Sequence, residues 1–269
     1  MGRGAAVPGV ARLVGGGGVR HTVTLMVRVD RHDRVAVVTL DRPERRNAVD
    51  HPTLLRLLEV QSAILDAGPD VRALVLTGAP PAFSAGADLH GVEEGQFATD
   101  LNSVLRGFGR LPVPVIAAID GPALGAGAQL AVAADLRVAT PDSVLGVPAA
   151  KLGLVVDHWT LRRMTSEFTA PVAKAMLIAA ETYTAERLQV LGGIHRLGGL
   201  DDAIGWAERL SGLAPLTMAA HKVGLEHWAA EPPRDEPFET ARSAAWASAD
   251  AEEGRTAFLE KRRANFTGA

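Results

Sequence analysis

The chain has 269 residues, 47% hydrophobic and 22% charged, a balance that suits one large globular domain with a substantial buried core. A formal net charge of −3, with Lys and Arg spread along the chain, excludes the concentrated basic footprint of a nucleic-acid binder. The absence of cysteine excludes disulfides, thiolate nucleophiles and Cys-based metal sites, and the eight histidines form no HExxH or other helical ligand pair.

No apolar run approaches the ~20 residues of a membrane span, and a cytoplasmic location is expected. Residues 1–25 combine Gly, Ala and Arg without periodicity and read as a flexible tail. A signal peptide needs a longer apolar centre than "VARLV", which Gly15 to Gly18 interrupt. The folded unit is expected to start at Met26, where strand-like alternation begins. "LMVRVDRHDRVAVVTLDRP" alternates around a polar turn and predicts a β-hairpin ended by Asp41 to Pro43.

From Asp50, the spacing of Leu54, Leu58, Gln61 and Leu65 predicts a helix, with Leu55, Leu57 and Ile64 widening its stripe. Asp50 or Thr53 can cap its start, and Gly68 and Pro69 stop it. "VRALVLTG" and "PVIAAI" are nearly continuous apolar strands of the kind buried on both faces, separated by a helix near residues 94–110. "LRVAT" and "SVLGVP" add short strands. Everything after about Trp159 reads as helical, broken at Pro171, Gly192 to Gly193, Gly198 to Gly199 and Pro215.

Each buried strand runs directly into a stretch of small residues, "AFSAGADL" after the first and "GPALGAGAQL" after the second. Neither G-x-G-x-x-G nor G-x-x-x-x-G-K-[ST] is present, so these are not phosphate-binding loops. Small residues at a helix start let a ligand reach backbone N–H groups that have no partner in the first turn. The other reading is tight packing between strand and helix.

"LDRPERRNAV", "FSAGADL", "PVIAAIDGPALGAGAQLAVAADLRVA", "KLGLVVDHWTLRRM" and "AFLEKRRANF" occur in an order that resembles the enoyl-CoA hydratase/isomerase (crotonase) superfamily from Met26 to the end. The resemblance implies an α/β fold, a spiral of β-β-α units with a helical C-terminal region that mediates trimers, which often pair into hexamers. It divides the chain into a tail (1–25), a spiral core with the acyl-CoA site (26–195) and a C-terminal helical oligomerisation region (196–269). The implied ligand is a coenzyme A thioester, with no metal and no covalently bound cofactor.

By the same resemblance, the backbone N–H groups of Ala87 and Ala126 form an oxyanion hole for the thioester oxygen, where negative charge develops. The family usually has glycine where Ala126 stands. Ala85, Ala87, Asp88, Leu89 and His90 match the stretch that lines the coenzyme A path. Arg45 and Arg46 fall near the nucleotide end, and Lys261 matches a lysine that contacts coenzyme A. Each has a plainer reading: solvated surface cations, a charged helix end at Lys261, and Asp88 as the cap of the following helix.

Active hydratases use two glutamates, and the positions that match them carry Gln129 and Ala149. Glutamine can hydrogen-bond a water without deprotonating it, and alanine can do neither. Asp157 matches an aspartate used by dienoyl-CoA isomerases and, as a nucleophile, by aryl-CoA dehalogenases; it is equally suited to cap the helix beginning "HWTLRRM". The expectation is an acyl-CoA-binding member of fatty-acid metabolism with weak or no hydratase activity, or a non-catalytic carrier that delivers a fatty acyl thioester. "FSAG" is not a G-x-S-x-G nucleophile elbow, which sets a hydrolase aside.

Overall fold

The computed structural model describes residues 26–90, 94–228, 240, 243, 244 and 246–267. The expected flexible tail and the start of the loop after His90 lie outside the described residues. In chain order the first half carries β1 (Val27–His32), β2 (Val35–Leu40), α1 (His51–Ala67), β3 (Ala73–Gly78), α2 (Glu94–Arg110), β4 (Val115–Ile119), β5 (Ala123–Leu124) and α3 (Ala126–Ala133). There follow β6 (Leu136–Ala139), β7 (Val144–Gly146), α4 (His158–Phe168), α5 (Ala170–Ile178), β8 (Thr182–Thr184) and α6 (Ala185–Val190). The last elements are β9 (Arg196–Leu197), α7 (Leu200–Ser211), α8 (Pro215–Trp228) and α9 (Ala249–Leu259).

The six-stranded sheet has the order β1-β2-β3-β4-β6-β9, antiparallel only between β1 and β2. Period-2 alternation sends Ala36, Val38, Leu40, Leu74, Leu76, Val115 and Ala117 into one core with α1 to α5. Val35, Val37, Ala73, Val75, Ile116 and Ala118 face the other way, against Ala203 and Ala207 of α7. Burial on both faces is why these strands read as continuous apolar runs.

A second layer grows one step with each turn of the chain. Val49 bridges Ala87, Ser84 bridges Ala123, β5 pairs with β7, and β7 pairs with β8. A strand in the large sheet, a short extended piece in the second layer and a helix thus form the repeating unit of an α/β spiral.

Several expectations change. In α1, Asp50 is the cap, accepting the N–H of Thr53 at 2.9 Å. Its buried face is Thr53, Leu54, Leu57, Val60, Gln61 and Ile64, whereas Leu55 and Leu65 point outward, Leu65 being 53% exposed. The region after Trp159 is not wholly helical, because β8 and β9 are strands too short to show a period. The sheet also continues past residue 195: β9 pairs with β6, and α7 covers the sheet's second face.

Candidate acyl-CoA site

The two small-residue turns lie side by side. Ser84 donates its N–H to Pro122 O at 3.0 Å, and Leu124 donates its N–H to Ser84 O at 2.9 Å. On the other flank Ala85 N–H reaches Arg46 O at 2.9 Å, and Val49 N–H reaches Gly86 O at 2.8 Å. Asp88 N–H donates to Val49 O at 2.8 Å, so the bonds of Val49 straddle Ala87. In a parallel pair that arrangement turns the N–H of Ala87 away from Val49, toward the flank of residues 122–126.

Glycine makes the approach possible. A Cβ on Gly86, whose φ is +108°, would stand 2.9 Å from Leu124 O and 3.6 Å from the Ala126 nitrogen. A Cβ on Gly127 would collide with the carbonyl oxygen of Ser84. Ala126 is the first residue of α3, so its N–H has no intrahelical partner and stands at the positive pole of the helix. Two donors on adjacent turns, one at a helix start, are suited to an oxygen that gains negative charge.

The side chains expected to act on the substrate are held by protein partners. Buried Gln129 donates its Nε2 to the Thr160 hydroxyl at 2.7 Å. Asp157 is the cap of α4: its Oδ1 accepts the Thr160 N–H at 2.9 Å, while its Oδ2 accepts a short hydrogen bond from Asn102 Nδ2. Asn102 in turn accepts from Arg106 Nε at 2.8 Å. Ala149 sits in a 3-10 turn, Pro148–Leu152, packed against the core. The C-terminal segment backs this wall from the same chain. Trp246 Nε1 donates to Val155 O at 2.8 Å, and a Cβ on Gly153 would stand 2.7 Å from the Ala251 Cα.

Asp88 Oδ1 accepts the N–H of His90, two residues on, at 3.3 Å. Its carboxylate is paired with Arg42 Nη2 at 3.2 Å, and Arg42 also meets Asp50 at 3.0 Å. This three-way pair ties the strand leaving Ala87 to the start of α1. Ala85, Arg45, Arg46, His90 and Lys261 are exposed, and Leu89 is half-buried. Arg45 and Arg46 lie in the turn whose backbone receives the Ala85 N–H, next to the candidate amides in space. Lys261 lies just past α9.

The sequence reading missed Asn102, Thr160 and Arg42. Thr160 could have been found, because it stands three residues after a candidate cap. The contacts that bring Arg42 to Asp88 and Asn102 to Asp157 span 46 and 55 residues and leave no local signal.

A model of the family described as enoyl-CoA hydratase/isomerase matches residues 30–269. A protein of Mycobacterium leprae (strain TN), named "Probable enoyl-CoA hydratase echA6", is 38% identical over 257 residues, covering 91% of this chain and 100% of its own. The 2,3-dehydroadipyl-CoA hydratase of Escherichia coli (strain K12) is 31% identical, covering 89% of this chain and 98% of its own. Among solved structures, methylmalonyl CoA decarboxylase complexed with 2S-carboxypropyl CoA superposes with a TM-score of 0.84 at 25% identity, covering 91% of this chain and 99% of the other.

Proposed function

The chain belongs to the enoyl-CoA hydratase/isomerase family, and from that premise we propose that it binds fatty acyl-CoA or enoyl-CoA with the thioester oxygen between the N–H groups of Ala87 and Ala126. The observation that carries this reading is the meeting of the two glycine-lined turns, which brings Gly86 against Leu124 and Ala126. Arg45, Arg46 and Lys261 are proposed to meet the coenzyme A phosphates, and the stretch Ala85 to His90 to line the path between.

We further propose weak or no hydratase activity. General acid–base groups each contribute about 10²- to 10⁴-fold, and here Gln129 and Ala149 replace them while both oxygens of Asp157 are already engaged. A second reading, a non-catalytic carrier of fatty acyl thioesters, draws on the same occupied Asp157. Cytoplasmic location and assembly into trimers or pairs of trimers, through a C-terminal helical region, complete the proposal.

The deciding experiment mixes purified protein with saturated, enoyl- and 2-carboxyacyl-CoAs and measures both binding by calorimetry and product formation. The 2-carboxyacyl thioester belongs in the panel because loss of CO2 needs an oxyanion hole and no proton abstraction. Turnover with any of them makes the protein an enzyme; tight binding without turnover favours the carrier. Failure to bind every thioester refutes both readings.

A further inference from the structure

Helix α3 offers Ala126 at one end, and the other end is held in an unusual way. All eight of its residues are buried, and six of them are Ala or Gly or Val, with little side-chain length to fix the helix along its axis. An eight-residue helix is about 12 Å long and leaves its last carbonyls without intrahelical partners. Here two guanidinium groups take them. Arg137 Nη1 donates to Ala134 O at 3.0 Å and to Ala131 O at 3.4 Å, and Arg163 Nε donates to Val132 O at 2.8 Å.

Both arginines are themselves anchored. Arg137, 1% exposed, donates its Nε to Gly193 O at 2.9 Å and its Nη2 to Glu167. Arg163 pairs with Glu226 of α8 at 2.7 Å and approaches Glu167 at 3.3 Å. Burial pushes the Arg137 pKa down, and the Glu167 carboxylate works against that shift. Two cations and two carboxylates therefore balance beneath the C-terminal end of α3.

We propose that Arg137 and Arg163 are positioning residues for the Ala126 amide, acting through α3 from its opposite end. The inference rests on the reading that this amide holds the thioester oxygen. One consequence of the geometry supports it: a helix free to slide would carry the Ala126 N–H out of register with the Ala87 N–H, which belongs to a different turn.

The test compares octanoyl-CoA with S-octyl-CoA, a thioether of the same chain length that lacks the carbonyl. Wild type is expected to bind the thioester more tightly. Arg163→Lys keeps the charge but changes the donor geometry at Val132; it should weaken octanoyl-CoA by about fivefold and leave S-octyl-CoA unchanged. The carbonyl ¹³C resonance of bound, labelled octanoyl-CoA should move toward its free value. Should that variant not fold, Glu226→Gln, which removes one partner of Arg163, is judged by the same criteria with a smaller expected loss. Equal loss of both ligands, or no loss of either, overturns the positioning role. Wild-type protein that binds the two ligands equally would overturn the two-amide site itself, and this inference with it.

Discussion

Gln129 of α3 and Thr160 of α4 are joined by a buried hydrogen bond of 2.7 Å, and the N–H of the same Thr160 is held by Asp157. One threonine thus connects the side chains of Gln129 and Asp157. The amide of Gln129 donates to the hydroxyl, and a carboxylate in its place would accept from it, so the site can take a glutamate without losing the contact.

From this follows the first prediction. Wild-type protein should hydrate crotonyl-CoA negligibly, and Gln129→Glu with Ala149→Glu should raise the rate by about 10²-fold or more. Loss of the enoyl thioester absorbance measures it. A wild-type turnover near the ~10 s⁻¹ of an ordinary enzyme would show that the missing carboxylates do not matter.

A β-branched side chain at the start of α3 should close the approach to both amides. Ala126→Val keeps the backbone N–H but is expected to abolish acyl-CoA binding, because the added methyl groups fill the space the thioester would enter. Calorimetry on the folded variant reads it directly. Binding equal to wild type would place the pocket elsewhere.

Asp157 is a cap before it is anything else. Asp157→Ala should cost about 1 kcal/mol or somewhat more in urea unfolding, through loss of the Thr160 N–H acceptor, whereas Asp157→Asn keeps an acceptor and should cost less. Acyl-CoA affinity should stay close to wild type in the Asn variant. Any isomerase turnover abolished by Asp157→Asn alone would assign the carboxylate a chemical role instead.

His195 makes stability depend on pH. The residue is exposed overall, but its Nδ1 accepts the Arg137 backbone N–H at 3.2 Å, and desolvation on that side of the ring, followed by the charge of Arg137, pushes its pKa down to about 4, with Glu167 acting in the opposite sense. The folded ring stays neutral where an unfolded histidine, with an ordinary value of 6.5, takes up a proton. The unfolded state therefore binds more protons in that window, so the stability is complete above about pH 6.5 and is lost as the pH falls through about 4. Between about pH 7.5 and pH 5, the urea midpoint of wild type should fall further than that of His195→Asn, which keeps an acceptor without the titration. Equal falls would remove His195 from the account.

Assembly is read from α8, which buries Lys222 yet leaves Leu216 at 83% and Leu225 at 71% exposure on opposite faces. Val223, 56% exposed, lies two turns from Leu216 on the same face, and a contiguous exposed apolar face marks an interaction surface. Sedimentation at micromolar concentration should show a trimer or hexamer, and Leu216→Asp with Val223→Asp should shift it toward monomer. A wild-type monomer would sink the proposal.

Much of this protein is legible along the chain, because its determinants are local. Alternating and continuous apolar runs and the Asp50 and Asp157 caps each depend on residues within a few positions of one another, and β1 to β4, α1 and α4 follow from them. The family is likewise written in the order of the motifs, across residues 30–269. Tertiary structure decided the rest. The two-residue strand β9 exists only because β6 pairs with it, and no period can form in two residues. Asp88 pairs with Arg42 because the spiral brings residues 46 positions apart together. The same winding sets Gly86 against Leu124 and Ala126, and Asn102 against Asp157. A side chain's type limits which bonds it can make, but which bond it makes depends on the partner that packing delivers.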